Sequence, residues 1–210
     1  MRRIMNKEFS IVIPAKNEEK SLAQLLPKLT NTYTNAEIII INDGSSDRTI
    51  DICLENKVIC VTHPDSRGNG AAIKTGARTA SSESILFMDA DGQHKVEDIQ
   101  SLIEKYEQGH DMVVGARSNS SQASIFRRIG NSIYNRLASF MTGYKIEDLT
   151  SGFRIVNRKK FLKFLYLLPN GFSYPTTSTM AFFRSGYSVA YIPIHASKRE
   201  GKSHINLLKD

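Results

Sequence analysis

Cysteine is nearly absent from this chain. Its 210 residues include two, Cys53 and Cys60, too few for a disulfide framework and wrongly spaced for a Cys-x-x-Cys site. They read as small buried apolar side chains in a reduced, cytosolic setting. No stretch reaches the ~18 consecutive apolar residues that cross a bilayer, so the chain as given is not expected to span a membrane. The amino terminus, Met1-Arg2-Arg3-Ile4-Met5-Asn6-Lys7-Glu8, is basic but lacks the apolar segment and small-residue cleavage site of an export signal. Repeats, low-complexity tracts and linkers are missing too, which predicts one domain over 1–210 with a substantial core. A Walker A loop is also lacking, because Gly201-Lys202-Ser203 has neither the upstream glycine nor the following helix. Acidic residues are outnumbered, 21 against 28 Lys and Arg, for a net charge of +7. That balance favours nucleotides, lipid phosphates or nucleic acid as partners without choosing among them.

What is present is an alternation of short apolar runs with amphipathic stretches. Phe9–Ile13, Glu37–Ile41, Val58–Val61, Ser84–Met88 and Asp111–Val114 read as strands, a pattern that predicts an α/β fold with a mainly parallel central sheet flanked by helices. Ligands of such sheets bind beyond the carboxyl ends of the strands, and each run here ends in polar chemistry. The strand ends carry Pro14-Ala15-Lys16-Asn17-Glu18-Glu19, Asn42-Asp43-Gly44-Ser45-Ser46-Asp47, Arg67-Gly68-Asn69-Gly70, Asp89-Ala90-Asp91 and Gly115-Ala116-Arg117. Five loops are thus expected to converge on one edge. Residues 124–142 place Ile125, Phe126, Ile129, Ile133, Leu137, Phe140 and Met141 at helical spacing beside Arg127, Arg128 and Arg136. This amphipathic helix either packs into the core, which the pattern alone favours, or lies in a membrane interface with its arginines on lipid phosphates. Further on, a strand at Phe153–Val156, helices at Lys159–Leu168 and Thr176–Ser185, a strand at Ser188–Ile194 and a basic tail are expected.

Asp89-Ala90-Asp91 is the most specific of the strand ends. Side chains two apart on an extended chain share a face, so the pair offers hard oxygen ligands for Mg²⁺ or Mn²⁺, ions that commonly share their shell with substrate phosphates. Asp-Gly is equally an ordinary turn opener. Asp43 has the same two readings, a turn residue or an acceptor for a base or ribose. Arg67-Gly68-Asn69-Gly70, opening a helix over Ala71–Ala80, combines flexible backbone, a positive helix end and a guanidinium, all suited to a phosphate.

Taken in order, Ile-Pro-Ala-Lys-Asn-Glu-Glu, Asn-Asp-Gly-Ser-Ser-Asp, Arg-Gly-Asn-Gly-Ala-Ala, Asp-Ala-Asp-Gly-Gln-His, Gly-Ala-Arg and Thr-Ser-Gly-Phe-Arg resemble family 2 glycosyltransferases. From about Phe9 to Asp210 the chain is similar to their polyprenyl-phosphate branch, the dolichol-phosphate mannose synthase type. The resemblance implies a GT-A fold and a hexosyltransferase using Mg²⁺ or Mn²⁺ and a donor such as GDP-mannose or a UDP-sugar. Residues 1–117 would form the nucleotide-sugar half, and 118–210 the acceptor half with the helix at 124–142. Pro14, Ala15, Asn17, Glu18, Asp43, Arg67 and Asp89 would bind the donor. Asp89, Asp91 and Gln93 would hold the metal, and Arg199 and Lys202 in the tail would close over the diphosphate. Lys16 and Asn69 depart from the family's Tyr and Lys, and hydroxyls at Tyr174-Pro175-Thr176-Thr177 replace acidic residues of mannose-transferring relatives.

A polyprenyl phosphate acceptor is already largely ionised near neutral pH, since a phosphate's second pKa is about 6. Aiming it then matters more than removing a proton, which suits Arg117 and Arg128 as phosphate clamps. Asp148, just before Thr150-Ser151-Gly152-Phe153-Arg154, resembles the acidic position used as base in relatives with hydroxyl acceptors. It is given a catalytic or orienting role, with a helix or turn cap as the equal alternative. The resemblance further implies inverting transfer, expected at the cytosolic face of a membrane by a protein bound there peripherally. Transfer to a saccharide or protein hydroxyl with Asp148 as base is the alternative. A sugar-1-phosphate nucleotidyltransferase is disfavoured, because no glycine-rich Arg- and Lys-bearing signature follows the first strand. A nucleic-acid-binding module is disfavoured by the acidic residues clustered at the strand ends. The abrupt end after Lys209-Asp210 suggests that the parent protein continues into hydrophobic segments.

Overall fold

Every residue of Ile38-Ile39-Ile40-Ile41 is buried, the signature of a strand covered on both faces. Alternation then sorts the core in two. Ile11, Ile13, Ile38 and Ile40 pack with Leu22, Leu26, Ile99 and Leu102 on one face. Val12, Ile39 and Ile41 pack with Ile73, Ala77, Phe161 and Phe182 on the other. The computed structural model describes residues 8–117 and 125–194, with backbone alone for 125–131.

The elements run β1 (Phe9–Ala15), α1 (Glu19–Thr32), β2 (Ala36–Asp43), α2 (Thr49–Glu55), β3 (Ile59–His63), α3 (Asn69–Thr79) and β4 (Ser84–Phe87). They continue through α4 (Asp98–Glu107), β5 (Met112–Arg117), α5 (Ile125–Thr142), β6 (Arg154–Asn157), α6 (Arg158–Leu162), α7 (Tyr174–Arg184) and β7 (Val189–Ile194). They form one seven-stranded sheet in the order β3-β2-β1-β4-β6-β5-β7. Only β6 is antiparallel to its neighbours, with Leu86 opposite Ile155 and Val113 opposite the same residue. The carboxyl ends of β1 to β5 therefore share an edge with the amino end of β6. That brings Thr150-Ser151-Gly152-Phe153 beside Asp89-Ala90-Asp91.

Three expectations are corrected. The helix expected at Lys159–Leu168 is shorter: past Leu162 the N–H groups of Phe164, Leu165, Leu167 and Leu168 bond three residues back, and Pro169 disfavours helix at the residue before it. The core reading of 124–142 fails for its described half. Ile133, Leu137, Phe140 and Met141 are exposed, Phe140 by 88%, while the inward position is Ala138, packed with Ile146, Leu149 and Phe183. The apolar stripe lies on the side away from that contact. Cys53 is buried as expected, but Cys60 is only half-buried, and a hydrogen bond from the Cys53 thiol pulls its pKa down to about 7. Among the described residues no helix is long and apolar enough to cross a membrane.

Candidate active site

The first two loops hold each other in place. Asn17 adopts a left-handed backbone (φ 55°), which asparagine tolerates better than most residues. Its N–H donates to Ser45 Oγ at 2.9 Å, and its side-chain oxygen accepts the Ser46 N–H at 2.8 Å. Thr49 Oγ1 accepts the Glu18 N–H and Asp47 accepts the Glu19 N–H, while Glu19 accepts the Arg48 N–H. The helix α1 thus receives its N-terminal caps from the other loop rather than from its own residues. Pro14 and Ala15, expected to line the donor pocket, end β1 with buried side chains, so Lys16 and Asn17 make the surface there.

Asp43 is buried at the end of β2, and each of its oxygens accepts two hydrogen bonds. Oδ1 takes His63 Nδ1 (2.7 Å) and the Arg67 N–H (2.8 Å), and Oδ2 takes Ser66 Oγ and the Gly68 N–H (both 2.9 Å). His63 continues to Thr75 Oγ1 on α3 at 2.9 Å. These donors outweigh burial and hold the Asp43 carboxyl below its ordinary value of 3.8. The carboxylate is thereby committed to shaping the 66–68 loop, whose Arg67 side chain is exposed.

The phosphate reading of the α3 N-terminus is corrected by the chain that sits on it. The Gly70 N–H donates to Gly171 O at 3.0 Å and the Ala71 N–H to Asn170 O at 3.2 Å, groups that a phosphate would otherwise engage. A Cβ on Gly70 would stand 2.1 Å from Pro169 O. The glycine serves this close backbone approach, and Lys74 Nζ ties down the same segment through Leu168 O and Asn170 Oδ1.

The strand β4 ends at Phe87, so strand alternation does not relate the two aspartates as expected. Asp91 is buried and accepts the Gln93 N–H at 3.1 Å, capping its own turn. The Asp89 side chain is 36% exposed, with its Oδ2 3.6 Å from Nε2 of the buried His94. Across from it lies Gly152, where a Cβ would stand 3.3 Å from Asp89 Oδ2 and 3.2 Å from the Tyr174 hydroxyl. Burial, with Asp89 adding to it, pushes the Tyr174 phenol up. Among the described residues no three His, Cys, Asp or Glu side chains gather to hold an ion. Asp89 and Asp91 with the Gln93 amide suit Mg²⁺ or Mn²⁺ as hard oxygen donors, provided substrate phosphate completes the shell.

Arg117, closing β5, pairs with the buried Asp148 through Nε at 2.8 Å and Nη2 at 3.0 Å, and its backbone N–H donates to the same carboxylate. The Thr150 N–H and hydroxyl also donate to Asp148. Burial opposes the charge, but Arg117 and Thr150 prevail and hold the Asp148 carboxyl below its ordinary value. A carboxylate occupied on both oxygens and held ionised is ill suited to take a proton from a hydroxyl. Of the roles weighed for Asp148, the orienting and turn-cap ones match this geometry and the base does not. Behind the pair lies Arg154, fully buried and without an ion-pair partner among the described residues. It donates to Ser151 O, Pro175 O, Ser178 Oγ and Thr179 Oγ1, which ties the 150–153 segment to the start of α7. Arg199 and Lys202 lie outside the described residues, as does the side chain of Arg128.

Sequence reasoning passed over His94 and Arg154, although both stand in the quoted motifs. An arginine ending Thr-Ser-Gly-Phe-Arg at a strand start, and a histidine three residues from a turn aspartate, were the available signals.

Residues 10–165 match the profile of the family described as Glycosyl transferase family 2. An uncharacterized protein of Methanocaldococcus jannaschii is 34% identical over 163 residues, covering 73% of this chain and 66% of that protein. The undecaprenyl-phosphate 4-deoxy-4-formamido-L-arabinose transferase of Photorhabdus laumondii is 36% identical over 155 residues, covering 68% of this chain and 46% of that protein. The chain thus spans between about half and two thirds of the length of these relatives. Among solved structures, glucosyl-3-phosphoglycerate synthase from Mycobacterium tuberculosis in complex with Mn²⁺, uridine diphosphate and phosphoglyceric acid superposes with a TM-score of 0.74 at 17% identity. The match covers 94% of this chain and 72% of that one. At that identity the likeness concerns the fold, which is the GT-A type expected from the motifs.

Proposed function

Because the chain belongs to glycosyltransferase family 2, we propose that it moves a sugar from a nucleoside-diphosphate donor to the phosphate of a polyprenyl lipid at the cytosolic surface of a membrane. The observation that carries this reading is the state of Asp148. An acceptor hydroxyl needs a base, and this carboxylate is ionised and filled by Arg117 and Thr150. An acceptor phosphate arrives ionised and needs aim instead. The relative from Photorhabdus laumondii, named for transfer involving undecaprenyl phosphate, supports the same acceptor class.

In this reading Asp148 is a positioning residue that fixes the Arg117 guanidinium through Nε and Nη2, and Nη1, which takes no part in that pair, meets the acceptor phosphate with help from Arg128. The buried Arg154 contributes a fixed positive charge beneath the site, stronger for being shielded from water. Asn17 and Glu18 border the donor, Asp43 supports Arg67 at the diphosphate, and Arg199 and Lys202 neutralise the departing group. Asp89, Asp91 and Gln93 would hold Mg²⁺ or Mn²⁺, which when bound stabilises charge on the leaving diphosphate. The exposed stripe Ile133, Leu137, Phe140 and Met141 would rest in the membrane interface and bring the acceptor headgroup to the sheet edge.

The test is product analysis after incubation with radiolabelled UDP- and GDP-sugars, Mn²⁺ and either undecaprenyl phosphate or oligosaccharide acceptors. Label is expected in an acid-labile glycosyl phosphate. Label on a saccharide hydroxyl would overturn the reading.

A further inference from the structure

We infer that His94 is a positioning residue that holds the Asp89 carboxylate in register for the donor, an inference that rests on the donor site proposed above. Three observations carry it. The His94 side chain is 6% exposed with Nε2 3.6 Å from Asp89 Oδ2, so this ring nitrogen faces the carboxylate from just outside direct hydrogen-bond distance. The ring lies flat on Phe153, with centroids 4.6 Å apart and planes at 13°. Phe153 is itself fully buried, which fixes the direction of Nε2. The other nitrogen, Nδ1, is buried with no hydrogen-bond partner among the described residues. A buried polar atom left unmatched is costly, so stability alone would favour a phenyl ring here, and the imidazole is retained for its Nε2 side.

Asp89 is thereby bracketed. His94 stands on one side, and the Gly152 Cα with the Tyr174 hydroxyl behind it on the other, where a methyl group at 152 would press on both Asp89 Oδ2 and the Tyr174 hydroxyl at 3.2–3.3 Å. The same stack joins the loop after β4 to the entry of β6, so the carboxylate and the 150–153 segment that carries Thr150 are packed against each other. Groups that orient a ligating carboxylate without touching the ligand change affinity by about 10- to 100-fold when removed.

The experiment measures binding of UDP and of GDP, each with Mn²⁺, by calorimetry, together with thermal melting. His94→Phe keeps the stack on Phe153 and removes the N–H. It is expected to weaken binding of the preferred nucleotide at least about tenfold while the melting temperature holds or rises. His94→Gln restores a donor and is expected to bind within about threefold of the parent. In an Asp89→Asn background His94→Phe should add no further loss, because the two act through one interaction. If Asp89→Asn weakens binding but His94→Phe does not, or if their losses add in full, the positioning role is wrong and the donor site stands. If Asp89→Asn itself leaves binding unchanged, the donor-site reading fails. Should His94→Phe not fold, His94→Leu enters the same cycle, with the same outcomes deciding.

Discussion

Asp43 and Asp148 are buried carboxylates that spend their charge on the protein. Each is surrounded by donors that keep it ionised, so the folded state binds the anion more strongly than the unfolded chain does. Since both pKa values lie below the ordinary 3.8, their stabilisation is fully present above that value and is lost as pH falls through the lower folded values. Melting temperature should therefore drop steeply below pH 4, and the acid limb should flatten in Asp148→Asn. An unchanged limb would remove Asp148 from the account. At neutral pH the same variant is expected to lose about 10²-fold in kcat/KM through misplacement of Arg117, with the pH–rate profile keeping its shape. A profile that lost its acidic limb would instead mark Asp148 as a base. Sequence reading found both residues, Asp43 from its place at a strand end and Asp148 from its place just before Thr150-Ser151-Gly152-Phe153-Arg154, where the resembling family carries an acidic residue. What it did not reveal was where their oxygens point, because Arg67 and Gly68 reach Asp43, and Arg117 reaches Asp148, across 24 to 31 residues of chain.

Two elements show how far local pattern carries. The glycines of Arg67-Gly68-Asn69-Gly70 were legible as a backbone requirement, but their partner was not. A phosphate and the carbonyls of Asn170 and Gly171 ask the same geometry of the N–H groups, and only the fold decides which arrives. Gly70→Ala would drive a methyl group into Pro169 O and is expected to cost about 2–3 kcal/mol, read as a lowered denaturant midpoint. A neutral result would show that the 168–171 segment yields readily. In α5 the period of the apolar residues was correctly helical, yet period cannot say which side of a helix meets the protein. The answer came from the smallest residue of the described half: Ala138 admits close approach near α7, and the large side chains are left outside. Phe140→Ser should leave folding untouched, since the ring is 88% exposed. Binding to vesicles containing anionic lipid should fall about tenfold, as expected for withdrawing one aromatic from an apolar interface. Equal sedimentation of parent and variant would take α5 off the membrane.

Across the whole molecule, the alternation of runs and amphipathic stretches was enough to place five strand ends on one edge, because parallel strands joined by helices leave no other arrangement. The insertion of β6 between β4 and β5 was not legible. Arg154–Asn157 is four residues long, and nothing local distinguishes an antiparallel strand from a parallel one. That insertion is what sets Gly152 against Asp89 and Arg154 beneath Asp148. Since no three His, Cys, Asp or Glu side chains gather among the described residues, an ion held as proposed by Asp89, Asp91 and Gln93 would need the donor diphosphate to complete its shell. Binding of metal and nucleotide should accordingly be synergistic. Mn²⁺ alone or UDP or GDP alone should shift the melting temperature little, while Mn²⁺ with the matching nucleotide at about 100 times its dissociation constant adds about 2.7 kcal/mol. For a chain of this length that corresponds to roughly 5–10 °C, and chelation of the metal with EDTA should return the protein to its unliganded melting point. Shifts that merely add would mean that ion and nucleotide occupy separate sites, and Asp89 and Asp91 would then have to bind one without the other.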